Sequence, residues 1–159
     1  MWTRVDSAVI RTALACVVLL GCGPIQAADR AAFGQVHAAD PPGNYLLHCA
    51  GCHQADGRGL PRSGIPSMTG NVGYFLNSEA GRAFLVQVPG TANSPLSDEQ
   101  VAELLNWIVE QFSAAQKPPQ SVAYTSEEVK RLRTHRLTDL YATRRAIINE
   151  LNAAGLPAQ

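Results

Sequence analysis

The feature that most constrains this chain is the pentapeptide Cys49-Ala50-Gly51-Cys52-His53, in which two thiols stand three positions apart and a histidine follows the second. Two thiols at this spacing can each form a thioether with one vinyl group of the same porphyrin. The imidazole of the histidine then reaches the iron from one side of the ring. This C-x-x-C-H pattern therefore predicts one covalently attached haem c, and a large apolar group to fill the interior of the fold.

Two other uses of closely spaced cysteines fit the sequence less well. A thioredoxin-type dithiol needs a strand before the pair and a helix that opens at the first cysteine, and no such βαβ arrangement surrounds Cys49 and Cys52. A zinc site needs four ligands, and after His53 the next Cys or His is His135, far along the chain. We therefore predict haem iron as the metal, with His53 as its proximal ligand.

The N-terminal residues have the composition of an export signal. Arg4 and Arg11 provide positive charge before residues 12–21, which are almost wholly apolar but too few to span a bilayer. We expect residues 1–28 to be a cleaved signal peptide and the protein to be periplasmic. An alternative is a lipoprotein, because the sequence up to Cys22 resembles a bacterial lipobox, and only that form would bind a membrane.

Proline and charge divide the remaining chain into three parts. Residues 29–40 show little periodicity and are predicted to be a flexible lead-in. Residues 41–116 are the expected haem domain, and residues 117–159 are a helical tail. Residues 29–116 hold four basic and eight acidic side chains, whereas the tail holds seven basic and four acidic ones. This difference would suit electrostatic docking, but two solvated helix faces are the simpler explanation. We expect no nucleic-acid partner.

Helical periodicity is the only convincing regular pattern, so we predict an all-α fold. A short helix from Tyr45 to Cys52, capped by Asn44, would carry the cysteine motif, and residues 79–88 would form another helix. The clearest helix begins after Ser97, which forms a capping box with a glutamine three residues later. One face of this helix carries an apolar stripe, and Trp107 lies beside it. The stripe consists of Val101, Leu104, Leu105, Ile108 and Phe112.

The tail also carries helical signals. Thr125 and Glu128 form a second capping box, and the apolar residues after it are spaced for one or two helices. These apolar residues are Val129, Leu132, Leu137, Leu140, Ile147, Ile148 and Leu151. They must be buried either against the haem domain or against a partner protein.

From residue 41 to residue 112 the sequence resembles the class I c-type cytochromes. Residues 56–59 (DGRG) are similar to the glycine-containing run that follows the family's haem motif, and residues 66–70 (PSMTG) are similar to its P-x-L-x-G segment. The resemblance implies a small helical domain wrapped around one haem, acting as a one-electron carrier. It further implies that the Pro66 carbonyl accepts a hydrogen bond from His53 and that Met68 packs against the haem. The partners would be a redox donor and acceptor, for example a periplasmic dehydrogenase.

One departure from the family concerns the sixth iron ligand. That ligand is usually a methionine in the loop before the last helix, but residues 88–96 contain none. Three alternatives remain open: Met68 binds iron, His135 folds back from the tail, or the sixth position is open. A strong sixth ligand would suit an electron carrier, and an open position would suit a protein that binds small ligands or peroxide. At an open position Arg62 or Arg82 would be candidate polar groups near the ligand. A third possible function, suggested by the apolar tail, is a haem-bearing docking subunit of a periplasmic dehydrogenase.

Overall fold

A computed structural model describes residues 40–159 of the chain. Within this range the chain forms helices and no strand, apart from an isolated bridge between Leu60 and Ile65. The all-α prediction is therefore confirmed. The α-helices are α1 (Pro41–His48), α2 (Ala50–His53), α3 (Glu79–Gln87), α4 (Pro89–Ala92), α5 (Asp98–Ser113), α6 (Ser126–Arg133) and α7 (Leu140–Ala153), and short 3₁₀ helices lie at Pro61–Ser63, Val72–Asn77 and Ala114–Gln116.

The predicted signal peptide, residues 1–28, and the lead-in up to residue 39 lie outside the described residues. In the part of the chain that is described, no helix has the length and apolar character needed to cross a membrane.

The region predicted as one helix that ends in the cysteine motif forms two short helices. α1 begins at Pro41, because proline lacks an N–H and has a fixed φ that suits the first helical turn. The prediction of a start at Tyr45 with Asn44 as its cap was therefore wrong, and Asn44 lies buried inside α1. Cys49, with φ −123° and ψ −40°, ends α1 and precedes α2. The second cysteine and the histidine thus lie on a separate helical turn.

α5 is the central helix of the core. It begins with the predicted capping box, in which both reciprocal hydrogen bonds between Ser97 and Gln100 are present. Its aromatic residues pack against α1: the ring centroids of Trp107 and Phe112 lie 5.4 and 5.0 Å from that of Tyr45. This contact joins the first and last helices of the predicted haem domain. The predicted apolar stripe is buried, including Val101, Leu104, Leu105 and Ile108.

The tail packs against the predicted haem domain of the same chain. α6 contacts α5 and α3, and α7 contacts α3 and the 3₁₀ helix Val72–Asn77. Three apolar tail residues are almost completely buried in these contacts: Val129, Ile147 and Leu151. Much of the apolar stripe predicted in the tail is therefore covered by this chain itself.

An ion pair joins α3 to α6. Nε and Nη2 of Arg82 donate to Oε1 and Oε2 of Glu128 at 2.6 and 2.7 Å, and Nη1 donates to the Val122 carbonyl at 2.8 Å. The same guanidinium lies 4.0 Å from the centroid of the Tyr124 ring. Arg82 therefore joins α3 to the tail through all of these contacts.

Candidate cofactor site

A cavity of about 440 Å³ lies between the cysteine motif, α5 and α7. Its volume is in the range of pockets that bind small organic ligands, and its wall is mostly apolar. The five residues predicted for the cofactor site all line this one cavity: Cys49, Cys52, His53, Pro66 and Met68. The structure therefore brings these five residues together at one cavity.

The imidazole of His53 is oriented by the Pro66 carbonyl. Nδ1 of His53 lies 3.2 Å from that oxygen, which is the distance expected when Nδ1 carries the proton and donates it. Nε2 is then unprotonated and able to bind a metal. Burial lowers the pKa of His53, and the hydrogen bond to Pro66 opposes this effect only in part. Both the tautomer and the neutral state favoured by burial fit an axial iron ligand.

Gly59 allows the Pro66 carbonyl to approach the motif. Its φ is +64°, a left-handed value, and its N–H donates to the His53 carbonyl at 2.8 Å. A Cβ at this position would lie 2.4 Å from the Pro66 oxygen. A glycine after the motif is therefore needed so that the loop can close against His53.

Neither motif cysteine forms a disulfide. Cys49 is partly buried and Cys52 is exposed, and both border the cavity. Burial, together with the neighbouring Cys52, raises the pKa of Cys49 to about 11, so this thiol is protonated at neutral pH. Between residues 40 and 159 no group of three or more Cys, His, Asp or Glu side chains is arranged to hold a metal ion. The two thiols are free for covalent attachment to a cofactor.

Met68 lines the cavity together with His53. Its N–H donates to the Gly57 carbonyl at 2.7 Å, and Pro66, two residues earlier, contacts the His53 ring. Met68 is partly buried and packs against the core around α5. The family resemblance implies a packing role for Met68 at the cofactor, and its place in the apolar wall fits that role.

His135 lies away from the cavity. It is exposed near the end of α6, and its Nδ1 is 3.0 Å from the Arg131 carbonyl. The remaining imidazole at the cavity, that of His48, is exposed and directly precedes Cys49. Arg62 and Arg82, considered as polar groups near a bound ligand, do not line the cavity.

A separate part of the cavity wall is formed by the loop before α5 and by the tail. The loop contributes residues between Val88 and Ser94, and it offers neither a thioether nor an imidazole. α7 contributes Leu140, Tyr141 and Arg144. Sequence reasoning missed these three tail residues, because helical periodicity identifies a buried face without showing what covers it.

Arg133 of α6 holds this loop in place. Nη1 donates to the Leu96 carbonyl and to Oδ1 of Asp98, both at 2.9 Å, and Nη2 donates to the Ser94 carbonyl at 2.9 Å. The Arg133 side chain is only 15% exposed. The position of the loop at the cavity thus depends on the tail.

The chain is similar to two curated proteins named "Cytochrome c-552", both from Thermus thermophilus. One is 34% identical over 108 residues, which cover 57% of this chain and 82% of the relative. The other, from the strain ATCC 27634 / DSM 579, is also 34% identical over 108 residues, covering 57% of this chain and 72% of the relative. No family model matches the chain. The similarity spans most of both relatives.

Proposed function

Because this chain belongs to the class I c-type cytochromes, we propose that it is an exported one-electron carrier with haem attached through Cys49 and Cys52 and ligated by His53. Membership of the family makes the protein an electron-transfer cytochrome with covalent haem c. One observation supports the assignment of residues: both thiols and the His53 ring line a single apolar cavity, and the Pro66 carbonyl orients that ring.

Each of these residues has a distinct part in holding the cofactor. Bound haem supplies an iron that changes its charge by one on electron transfer. Cys49 and Cys52 would hold the ring through two thioether bonds. His53 would bind iron through Nε2, while Pro66 fixes the imidazole orientation through Nδ1 and increases its basicity. The apolar wall excludes water, which limits the reorganisation of the surroundings when the charge changes.

The first experiment is an alkaline pyridine spectrum of the purified protein, produced with haem-attachment machinery. The position of its main visible band distinguishes two thioether bonds from one or none. We expect two bonds in the natural sequence and one in Cys49→Ala or Cys52→Ala. The absorption spectrum of the native protein, recorded without pyridine, should show loss of normal iron ligation in His53→Ala. His48→Ala is the matched control, because it removes the neighbouring imidazole. A native spectrum retained in His53→Ala would contradict the assignment.

We place the protein in the periplasm, with other redox proteins as donor and acceptor, a periplasmic dehydrogenase being one such donor. The export signal in residues 1–28 supports this location. Mass spectrometry of the N terminus tests it in the producing cell. A chain that begins near residue 29 supports the free exported form, and a diacylglyceryl group on Cys22 supports the anchored form. An uncleaved chain in the cytoplasmic fraction contradicts both.

A second candidate function is the binding of a small molecule at an open sixth position. The observation that favours it is the absence of sulfur and imidazole from residues 88–96, which contribute to the cavity wall before α5. Carbon monoxide tests this candidate on the reduced protein. Rapid binding and a high-spin oxidised spectrum support an open site. A far-red sulfur-to-iron band that disappears in Met68→Leu would instead identify Met68 as the ligand.

A further inference from the structure

Arg133 of α6 is a shared hydrogen-bond donor to the loop before α5, residues 88–96. Its guanidinium donates to three carbonyls of that loop and to the first residue of α5. The acceptors are the Ala92, Ser94 and Leu96 carbonyls at 3.3, 2.9 and 2.9 Å, and Oδ1 of Asp98 at 2.9 Å. One side chain of the tail thus joins four points of the chain that lie far before it in the sequence.

The segment that Arg133 holds is also a wall of the cavity. The loop residues that line the cavity are Val88, Pro89, Gly90, Thr91 and Ser94. Arg133 itself does not line the cavity, so it acts on the cavity only through the loop. Ser94 connects the two directly: its carbonyl accepts from Arg133, and its Oγ donates to the Thr91 carbonyl at 2.9 Å. A shift of the Arg133 contacts would therefore shift the wall.

A bound haem would not fix this loop through a bond to iron. Residues 88–96 contain neither a thioether nor an imidazole. The backbone N–H groups of Asn93 and Ser94 donate to carbonyls inside the loop, at 3.1 and 3.2 Å, which shapes the loop without attaching it to the tail. Arg136 adds one exposed contact, to Oδ1 of Asn93 at 2.7 Å. The Arg133 side chain is only 15% exposed and supplies the buried part of the attachment.

We propose that Arg133 is a positioning residue that controls how readily a small diatomic molecule reaches the haem iron, because it keeps the loop closed on the cavity. This inference rests on the haem assignment in the proposed function and develops its second candidate, the open sixth position. Local opening of a segment breaks its hydrogen bonds together, and a guanidinium shared by four oxygens makes that opening less favourable. Arg133 would thus affect the iron without touching the haem.

The test measures carbon monoxide binding to the reduced, haem-containing protein after flash photolysis. Arg133→Met removes the guanidinium and retains an apolar stem of similar length. We expect the second-order rate constant for binding to rise by at least about tenfold. A single charge-assisted hydrogen bond is equivalent to about that factor in an opening equilibrium. Arg133→Lys keeps the charge but not the planar array of donors, so its rate constant should lie between those of the natural sequence and Arg133→Met.

Two matched variants separate the loop from general loosening of the tail. Arg131→Met removes an exposed guanidinium from the same helix and should change the rate constant by less than about twofold. Arg82→Met breaks the ion pair with Glu128, which attaches the tail at α3 rather than at the loop, and should have a similarly small effect. Equal acceleration in Arg82→Met and Arg133→Met would overturn the inference, since any loosening of the tail would then open the cavity.

Amide hydrogen exchange in residues 88–97, measured on the same samples, connects the rate constant to the loop. Both should be faster in Arg133→Met. Faster exchange with an unchanged rate constant would leave Arg133 as a structural contact only and overturn the inference. Failure of both the natural sequence and Arg133→Met to bind carbon monoxide would overturn it as well.

The pyridine spectrum is recorded on each variant first. Without thioether-bound haem in the natural sequence, the proposed function itself fails, and this result is distinct from failure of the Arg133 inference. If Arg133→Met does not fold, Arg133→Lys alone tests the inference, and a rate constant equal to that of the natural sequence would overturn it.

Discussion

The ion pair between Arg82 and Glu128 allows a quantitative test of how firmly the tail is attached. It is bidentate, with distances of 2.6 and 2.7 Å, and the two side chains are only 19% and 18% exposed. Fully exposed pairs contribute about 0–1 kcal/mol, whereas breaking a fully buried pair costs about 3–5 kcal/mol. This pair is intermediate in burial, and we expect a coupling energy of about 2 kcal/mol between the two side chains.

Arg82→Met should lower the free energy of unfolding by more than the coupling energy of the ion pair. The variant also loses the hydrogen bond to the Val122 carbonyl, about 1 kcal/mol, and the contact with the Tyr124 ring, about 0.5–1 kcal/mol. We therefore expect the free energy of unfolding to fall by about 3–4 kcal/mol. Methionine retains the apolar stem of the side chain, so the loss reports the guanidinium group.

The assay is urea unfolding, followed by far-ultraviolet circular dichroism, of Arg82→Met, Glu128→Gln and the double variant. At a slope of about 1.5 kcal/mol per molar urea, a loss of about 3 kcal/mol lowers the midpoint by about 2 M. Arg58→Met is the control, because Arg58 pairs with Asp56 but its side chain is 79% exposed. This substitution should lower the free energy of unfolding by at most about 1 kcal/mol. A coupling energy below about 0.5 kcal/mol between Arg82 and Glu128 would refute the reasoning.

Three further predictions concern the cavity and the tail. Gly59→Ala should destabilise the protein by about 1–3 kcal/mol and displace the Pro66 carbonyl from the His53 ring; unchanged His53 ring signals in NMR would contradict this. Arg133→Met should accelerate amide hydrogen exchange in residues 88–97, while Arg131→Met, which removes an exposed guanidinium from the same helix, should not. Burial raises the pKa of Tyr124 above its ordinary value of 10, so the folded state retains a proton that the unfolded state loses, and stability falls as the pH rises above 10. In urea unfolding, Tyr124→Phe should lower the free energy of unfolding by about 1 kcal/mol at pH 8, because the hydroxyl hydrogen bond is lost, and by progressively less at alkaline pH. A difference between the variant and the natural sequence that does not change with pH would contradict this prediction.

Local signals in the sequence predicted local structure well. The capping box at Ser97 is formed as predicted, because its partners are three residues apart. The start of α1 was predicted wrongly, at Tyr45 instead of Pro41, because proline also suits a first helical turn. Prolines can either precede a helix or lie in its first turn. The sequence alone does not distinguish these two positions, because the choice depends on how the helix packs.

The cofactor chemistry could be predicted from the sequence, because the haem-attachment motif places its groups at positions i, i+3 and i+4 of one segment. The sequence also indicated which faces of the tail helices are apolar. The tertiary structure was needed to show that the tail packs against residues 41–116, that Arg133 reaches Asp98 across 35 positions, and that Asn71 bonds Gln159 across 88. Periodicity determines which face is buried, but the identity of the covering surface and the partner of each buried charge depend on how all the helices pack together.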